Sequence, residues 1–240
     1  MKTDKIDIIF LGLAQNCEKH IDKFFDVIIK LSKILNIHVI IGENNSNDYT
    51  INKIKEFSLK FQDDFTFVDT TFIEKYDDRI KRLAAARQKL KDNIDILKLR
   101  ADYICVVDLD DVLNQNFNVD LILELKNKLK KNSLEYFAMS ISSKPFYYDI
   151  LNFESNIFPN HNIKQIQNNK SIKSYKDRKK FIYDVQKKIS LQKNFDCISA
   201  FNGFCIYNFD DFKKSQYLEN SEDVTPEHLF LNRKIHLITK

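Results

Sequence analysis

Short apolar runs alternate along the chain with longer stretches in which apolar residues return every three or four positions. Ile6 to Leu13, Ile37 to Ile41, Phe65 to Val68 and Tyr103 to Val107 have the length and β-branched content of buried strands. Between the first two, Ile21, Phe24, Phe25, Ile28, Leu31 and Leu35 keep helical spacing, so Glu18 to Leu35 is predicted to be a helix. Thr50 to Phe61, Tyr76 to Leu99 and Phe117 to Leu129 are further predicted helices, and Glu135 to Ser142 a strand. A helix between two buried strands implies a parallel βαβ unit. The alternation weakens after about residue 145 and resumes in the apolar block Asp196 to Tyr207, which carries Gly203.

Composition narrows this picture without changing it. Only three Gly and three Pro in 240 residues argue for long regular elements, in one α/β domain of ordinary size or two small ones. The net charge of +4 is too small to imply a nucleic-acid partner. Charge is uneven, however: residues 160–193 hold ten Lys or Arg against Asp177 and Asp184. A solvated basic face is the default for that stretch, and a surface for anionic phosphate or lipid head groups the alternative. Cys17, Cys105, Cys197 and Cys205 form no CxxC pair, which favours reduced thiols. The first apolar run has only strand length, so a cytoplasmic protein is expected, working in part at the inner face of a membrane.

The candidate chemistry gathers where Tyr103 to Val107 runs into Asp108, Asp110 and Asp111. Carboxylates crowded at the end of a buried strand repel one another unless a cation lies between them, and hard oxygen ligands favour Mg²⁺ or Mn²⁺. Residues two apart on a strand share a side, so Asp108 and Asp110 can face one ion, while Asp111 suits the cap of a following helix. The second strand opens into Gly42-Glu43-Asn44-Asn45-Ser46-Asn47-Asp48, a composition that makes turns unaided. Its position on the same rim makes Glu43 a candidate for a ribose or base edge. In the predicted helix 76–99, Arg82 and Arg87 are candidates to grip a phosphate. Gly203 between aromatic residues suggests a bulge or a close approach of a ligand. The late Glu222-Asp223-Val224-Thr225-Pro226-Glu227-His228 adds a second acidic cluster, in which His228 is a candidate metal ligand, although a lone His is more often structural.

Taken in order, the ENNSNDYT loop, the Arg-bearing helix, VVDLDD, AFNGFCIY and EDVTPEH resemble a glycosyltransferase of the GT-A fold. Within that group the chain is most similar to capsule and lipopolysaccharide sugar transferases, including the cryptococcal mannosyltransferase-like relatives. The resemblance covers most of the chain and is sparse between residues 145 and 195. It implies a Rossmann-like α/β domain over residues 1–240 with a mixed, mainly parallel central sheet flanked by helices. Residues 1–113 would be the nucleotide-binding half and 114–240 the acceptor-binding half, with a basic insertion near 160–193. It further implies that Glu43 and Asp48 hold the nucleoside, that Asp108 and Asp110 form the DxD pair binding the diphosphate through Mn²⁺ or Mg²⁺, and that Gly203 lines the donor sugar. Glu227 and His228 would match the terminal acidic or metal-binding element, with Asp223 or Glu227 as base in an inverting reaction. The implied partners are a nucleotide-diphosphate sugar and a glycan or lipid-linked glycan acceptor, with no nucleic acid. Because such transferases often carry a membrane-associating tail, the natural chain is expected to be able to continue past Lys240 and to associate peripherally with a membrane.

Two other readings start from the same acids. Asp108-Leu109-Asp110-Asp111-Val112 also resembles the first motif of haloacid dehalogenase-type phosphatases, with Asp108 as nucleophile, although that motif normally follows the first core strand. A non-catalytic sugar-nucleotide-binding partner in polysaccharide assembly is the third. The transferase reading requires the loop after Ile41 and the acids after Val107 to share one rim of the sheet.

Overall fold

The computed structural model describes residues 5–110, 117–141, 147, 149–156, 175–191, 196–217 and 225–239. The chain opens with β1 (Ile6–Ala14), α1 (Ile21–Leu31), β2 (Ile37–Glu43), α2 (Thr50–Phe61), β3 (Phe65–Asp69), α3 (Arg79–Ile96) and β4 (Ala101–Asp108). After these come α4 (Val119–Lys131), β5 (Ala138–Ser140), β6 (Phe153–Glu154), α5 (Tyr175–Ser190), β7 (Ser199–Ala200), β8 (Phe204–Asn208), α6 (Phe209–Lys213) and α7 (Glu227–Thr239).

Six strands form one sheet in the order β3-β2-β1-β4-β8-β5, and β6 pairs with β7 in a separate ribbon. The first four strands of that order run parallel, whereas β8 is antiparallel to both β4 and β5. The sheet is therefore mixed and mainly parallel, and it draws strands from both halves of the sequence.

The continuous apolar character of the central strands follows from burial on both faces. On β1, Ile8 and Phe10 join α1, α2 and α4 on one face, while Ile9 and Leu11 join α3, α6 and α7 on the other. The run Ala84, Ala85 and Ala86 is buried and lets α3 lie close to the sheet. The predicted helices and strands through residue 131 recur with ends shifted by a few residues. Of the strand expected over 135–142, the described residues 135–141 form strand only at Ala138–Ser140, an edge that pairs on one side with β8, and residue 142 lies outside the described residues. Of the predicted basic stretch, the described part forms α5.

Candidate active site

Register brings the ends of the parallel strands into line. Ala14 pairs with Glu43, Glu43 with Asp69, and Leu13 with Asp108. The polar loop after β2 and the acids after β4 thus lie on one rim, two strands apart across β1. Beside them opens a cavity of about 480 Å³, whose lining includes Gln15, Asn44, Arg79, Arg87, Asp108, Asp110, Asp149, Phe201 and Glu227. A larger cavity of about 1010 Å³ runs along β5 and the end of α7, and none of the predicted site residues lines it.

The loop after β2 owes its composition to lacing. Ser46 Oγ accepts the Asn16 N–H at 2.9 Å, Asn16 Oδ1 accepts the Asn47 N–H at 2.8 Å, and Asp48 Oδ2 accepts the Glu18 N–H at 3.1 Å. Asp48 Oδ1 also takes the Thr50 N–H at 3.0 Å at the start of α2. Asn16 and Asn45 sit at φ of 51° and 49°, the left-handed region that Asn tolerates better than most residues. Glu43 is buried, and its Oε1 accepts the Ser46 N–H at 2.7 Å. Glu43 and Asp48, expected to touch a nucleoside, therefore hold the loop together. Their neighbours Asn44, Gln15 and Thr70 line the cavity instead. The side-chain oxygen of Asn44 is buried without a hydrogen-bond partner.

Of the two arginines singled out on α3, Arg87 reaches the acids. It is 3% exposed, its Nη2 is ion-paired with Asp108 Oδ1, and its Nη1 donates to the Val107 carbonyl at 3.4 Å. Arg82 lies outside the cavity lining, and Arg79, one turn earlier and exposed, lies within it. Burial pushes Asp108 up to about 7, against the pull of Arg87 and with the charges of Asp110, Asp149 and Glu227 adding to the rise. Burial likewise raises Asp149 and Glu227 from their ordinary values. The rim is thus an acid cluster balanced by two guanidinium groups.

Gly203 is at φ 79°, and its carbonyl accepts the Asp108 N–H at 2.8 Å. Its place is under the Asp108 backbone, off the cavity lining. His228 departs further from expectation. Its ring is fully buried and stacks on Phe201 with centroids 3.5 Å apart, and burial depresses its pKa well below the ordinary value. Its Nε2 lies 3.9 Å from Glu227 Oε1 and has no hydrogen-bond partner. Among the described residues, no three His, Cys, Asp or Glu side chains gather closely enough to hold a metal ion. The arrangement thus joins Asp108 and Asp110 without His228, because the second residue of α7 turns into the core. Asp111 and Asp223 lie outside the described residues.

Neither a family model nor a curated protein matches the sequence. Among solved structures, glucosyl-3-phosphoglycerate synthase from Mycobacterium tuberculosis, in complex with Mn²⁺, uridine diphosphate and glucosyl-3-phosphoglycerate, aligns over 98% of this chain and 65% of its own, at 10% identity and a TM-score of 0.51. S. aureus TarS, residues 1–349, aligns over 95% of this chain and 55% of its own, at 10% identity and the same TM-score of 0.51. This chain adopts the GT-A fold. It spans about two-thirds or less of those two structures' length. In the GT-A frame the rim formed by β1, β2 and β4 is the carboxyl end of a parallel sheet, where α/β folds place their ligands. Arg79 joins that rim from the Arg-bearing helix, although Arg82 and Arg87 were the candidates there, and Asp149 joins it without standing in any of the motifs read from the sequence. Asp149 lies within the weakly patterned stretch after residue 145, and only the three-dimensional arrangement brings it to the acids of β4.

Proposed function

We propose that this protein is a glycosyltransferase that moves a sugar from a nucleotide-diphosphate donor to a glycan or lipid-linked glycan acceptor of a surface polysaccharide. The observation that carries the reading is the pair Asp108 and Asp110, opening onto the 480 Å³ cavity at the rim where the loops after β1 and β2 are laced together. The pair suits a divalent cation of the Mg²⁺ or Mn²⁺ type, which is commonly held by one or two carboxylates with substrate phosphates and water completing its shell. When bound, such an ion would neutralise charge on the departing diphosphate.

The chain's own residues supply the remaining parts. Arg87 fixes Asp108, and exposed Arg79 at the cavity wall adds a cation for the diphosphate. In the transfer, the bond between the sugar carbon and the diphosphate oxygen breaks with its electron pair on the diphosphate. The acceptor oxygen forms the new bond to that carbon, and its proton passes to a carboxylate, a role for which Glu227, on the cavity lining, is the candidate. Burial, which raises Glu227, favours its holding that proton.

A thermal-shift screen of UDP-, GDP-, CMP- and TDP-sugars, with and without Mn²⁺, tests the proposal. One nucleotide sugar is expected to raise the melting temperature only with metal, and Asp110→Ala to abolish that shift. Silence across the panel, with hydrolysis of p-nitrophenyl phosphate abolished by Asp108→Asn, would replace the transferase with a phosphatase.

A further inference from the structure

The wall opposite the β4 acids carries a carboxylate held from several directions. The Asp149 N–H donates to Asn202 Oδ1 at 3.0 Å. Its Oδ2 accepts from Asn152 Nδ2 at 2.7 Å, and its Oδ1 from the Asn152 N–H at a longer 3.4 Å. Asn152 is only 5% exposed, and its own Oδ1 accepts the Leu229 N–H at 3.0 Å, in the first turn of α7 two residues after Glu227. The Asn152 carbonyl takes the Ser199 hydroxyl at 2.5 Å, and Ser199 Oγ accepts from Asn232 Nδ2 at 2.9 Å. One side-chain amide therefore ties Asp149 to the helix that carries Glu227. A buried hydrogen-bond network that ties two elements together rigidifies what it holds.

Asp149 is more than packing: it lines the cavity, and a carboxylate has about four lone-pair sites, of which Asn152 takes two. Across the same cavity, beside Asp108, Arg87 keeps its buried Nε without a hydrogen-bond partner. Arg79, also on the lining, is close enough to favour the charged form of both Asp149 and Glu227.

We infer that Asp149 binds a second hydroxyl of the acceptor, beside the one that attacks, and that Asn152 positions Asp149 relative to Glu227. The inference rests on the glycosyl-transfer reading and assigns this cavity a polyol acceptor with neighbouring hydroxyls. A carboxylate accepts such a hydroxyl strongly, and two anchor points orient a sugar ring where one does not.

The test exchanges the partners. Asp149→Asn removes the charge, and the double variant Asp149→Asn with Asn152→Asp restores an amide-to-carboxylate hydrogen bond with the charge moved to position 152, where the Leu229 N–H still finds an acceptor. Release of nucleoside diphosphate from the donor found in the screen is followed with a panel of methyl hexopyranosides as acceptor probes. The double variant is expected to melt within about 2 °C of wild type and to keep the metal-dependent donor shift, while the KM for the active glycoside rises at least tenfold and kcat changes less. Recovery of the wild-type KM in the double variant would mean that the hydrogen bond alone matters, and would overturn the inference. So would a wild-type enzyme that no glycoside stimulates although the donor binds. Loss of donor binding in the wild type would overturn the transferase reading itself.

Discussion

Two buried cations on α3 face opposite fates. Arg87 is compensated by Asp108, and removing the guanidinium strands a largely buried carboxylate. Arg87→Met is expected to cost roughly 3 kcal/mol at neutral pH by chemical denaturation, the range for breaking a buried pair. Much of that loss should return in Arg87→Met with Asp108→Asn. Lys91 has no such carboxylate partner: its Nζ donates to the Phe212 carbonyl at 2.7 Å, and burial lowers it to about 8. Below pH 8 both folded and unfolded chains carry this proton. Between about 8 and the ordinary 10.5 the unfolded chain binds more, so the folded state gains stability as pH rises. Measured against Lys91→Met, whose side chain does not titrate, wild type should gain up to about 3 kcal/mol across that window. A stability difference independent of pH would refute the assignment. The polar residues of the loop after β2 were legible as turn formers, but their partners at Asn16 and Glu18 lie about 30 positions away. Nothing local in the sequence separates a carboxylate that laces a loop from one that touches a nucleoside.

The elements themselves follow from local rules. The strands have period two with both faces apolar, and α3 begins at Asp78, whose side chain accepts the Lys81 N–H at 2.9 Å. Gly42 shows how closely these elements meet. A Cβ there would lie 2.9 Å from Leu13 Cδ2, Leu90 Cδ2 and Thr70 Cγ2, drawn from β1, α3 and the connection after β3. Gly42→Ala is therefore expected to lower stability by about 1–3 kcal/mol, read from the urea midpoint, because three packed side chains must shift together. Within the described residues 135–141 the strand is shorter than predicted, because an apolar run does not reveal how many partners it finds. As an edge strand, β5 has a neighbour on one side only.

Across the molecule, burial grades outward from the centre of the sheet. β1 and β4 are paired on both sides and covered on both faces, so amides of Ile8 to Leu11 and Ile104 to Val107 are expected to show the slowest hydrogen exchange. The two-residue β6–β7 ribbon should exchange several orders of magnitude faster, and equal protection would contradict this grading. The same centre-outward order explains the site: β1 lies between β2 and β4, and their parallel direction puts the laced loop and the β4 acids at one end. Among the described residues no helix is long and apolar enough to cross a membrane.

Periodicity, strand length and the placement of acids after an apolar run sufficed for the α/β architecture, the parallel βαβ opening and the rim on which Asp108 and Asp110 lie, because these depend on interactions between residues close in sequence and on the handedness of short connections. Which arginine meets Asp108, the turning of His228 under Phe201, the hydrogen bonds that Glu43, Asp48 and Gly203 make, and the arrival of Asp149 at the cavity were decided by packing and contacts that the linear pattern does not show. Such contacts depend on the distance and direction of side chains across the folded core, and a linear pattern of residue types encodes neither.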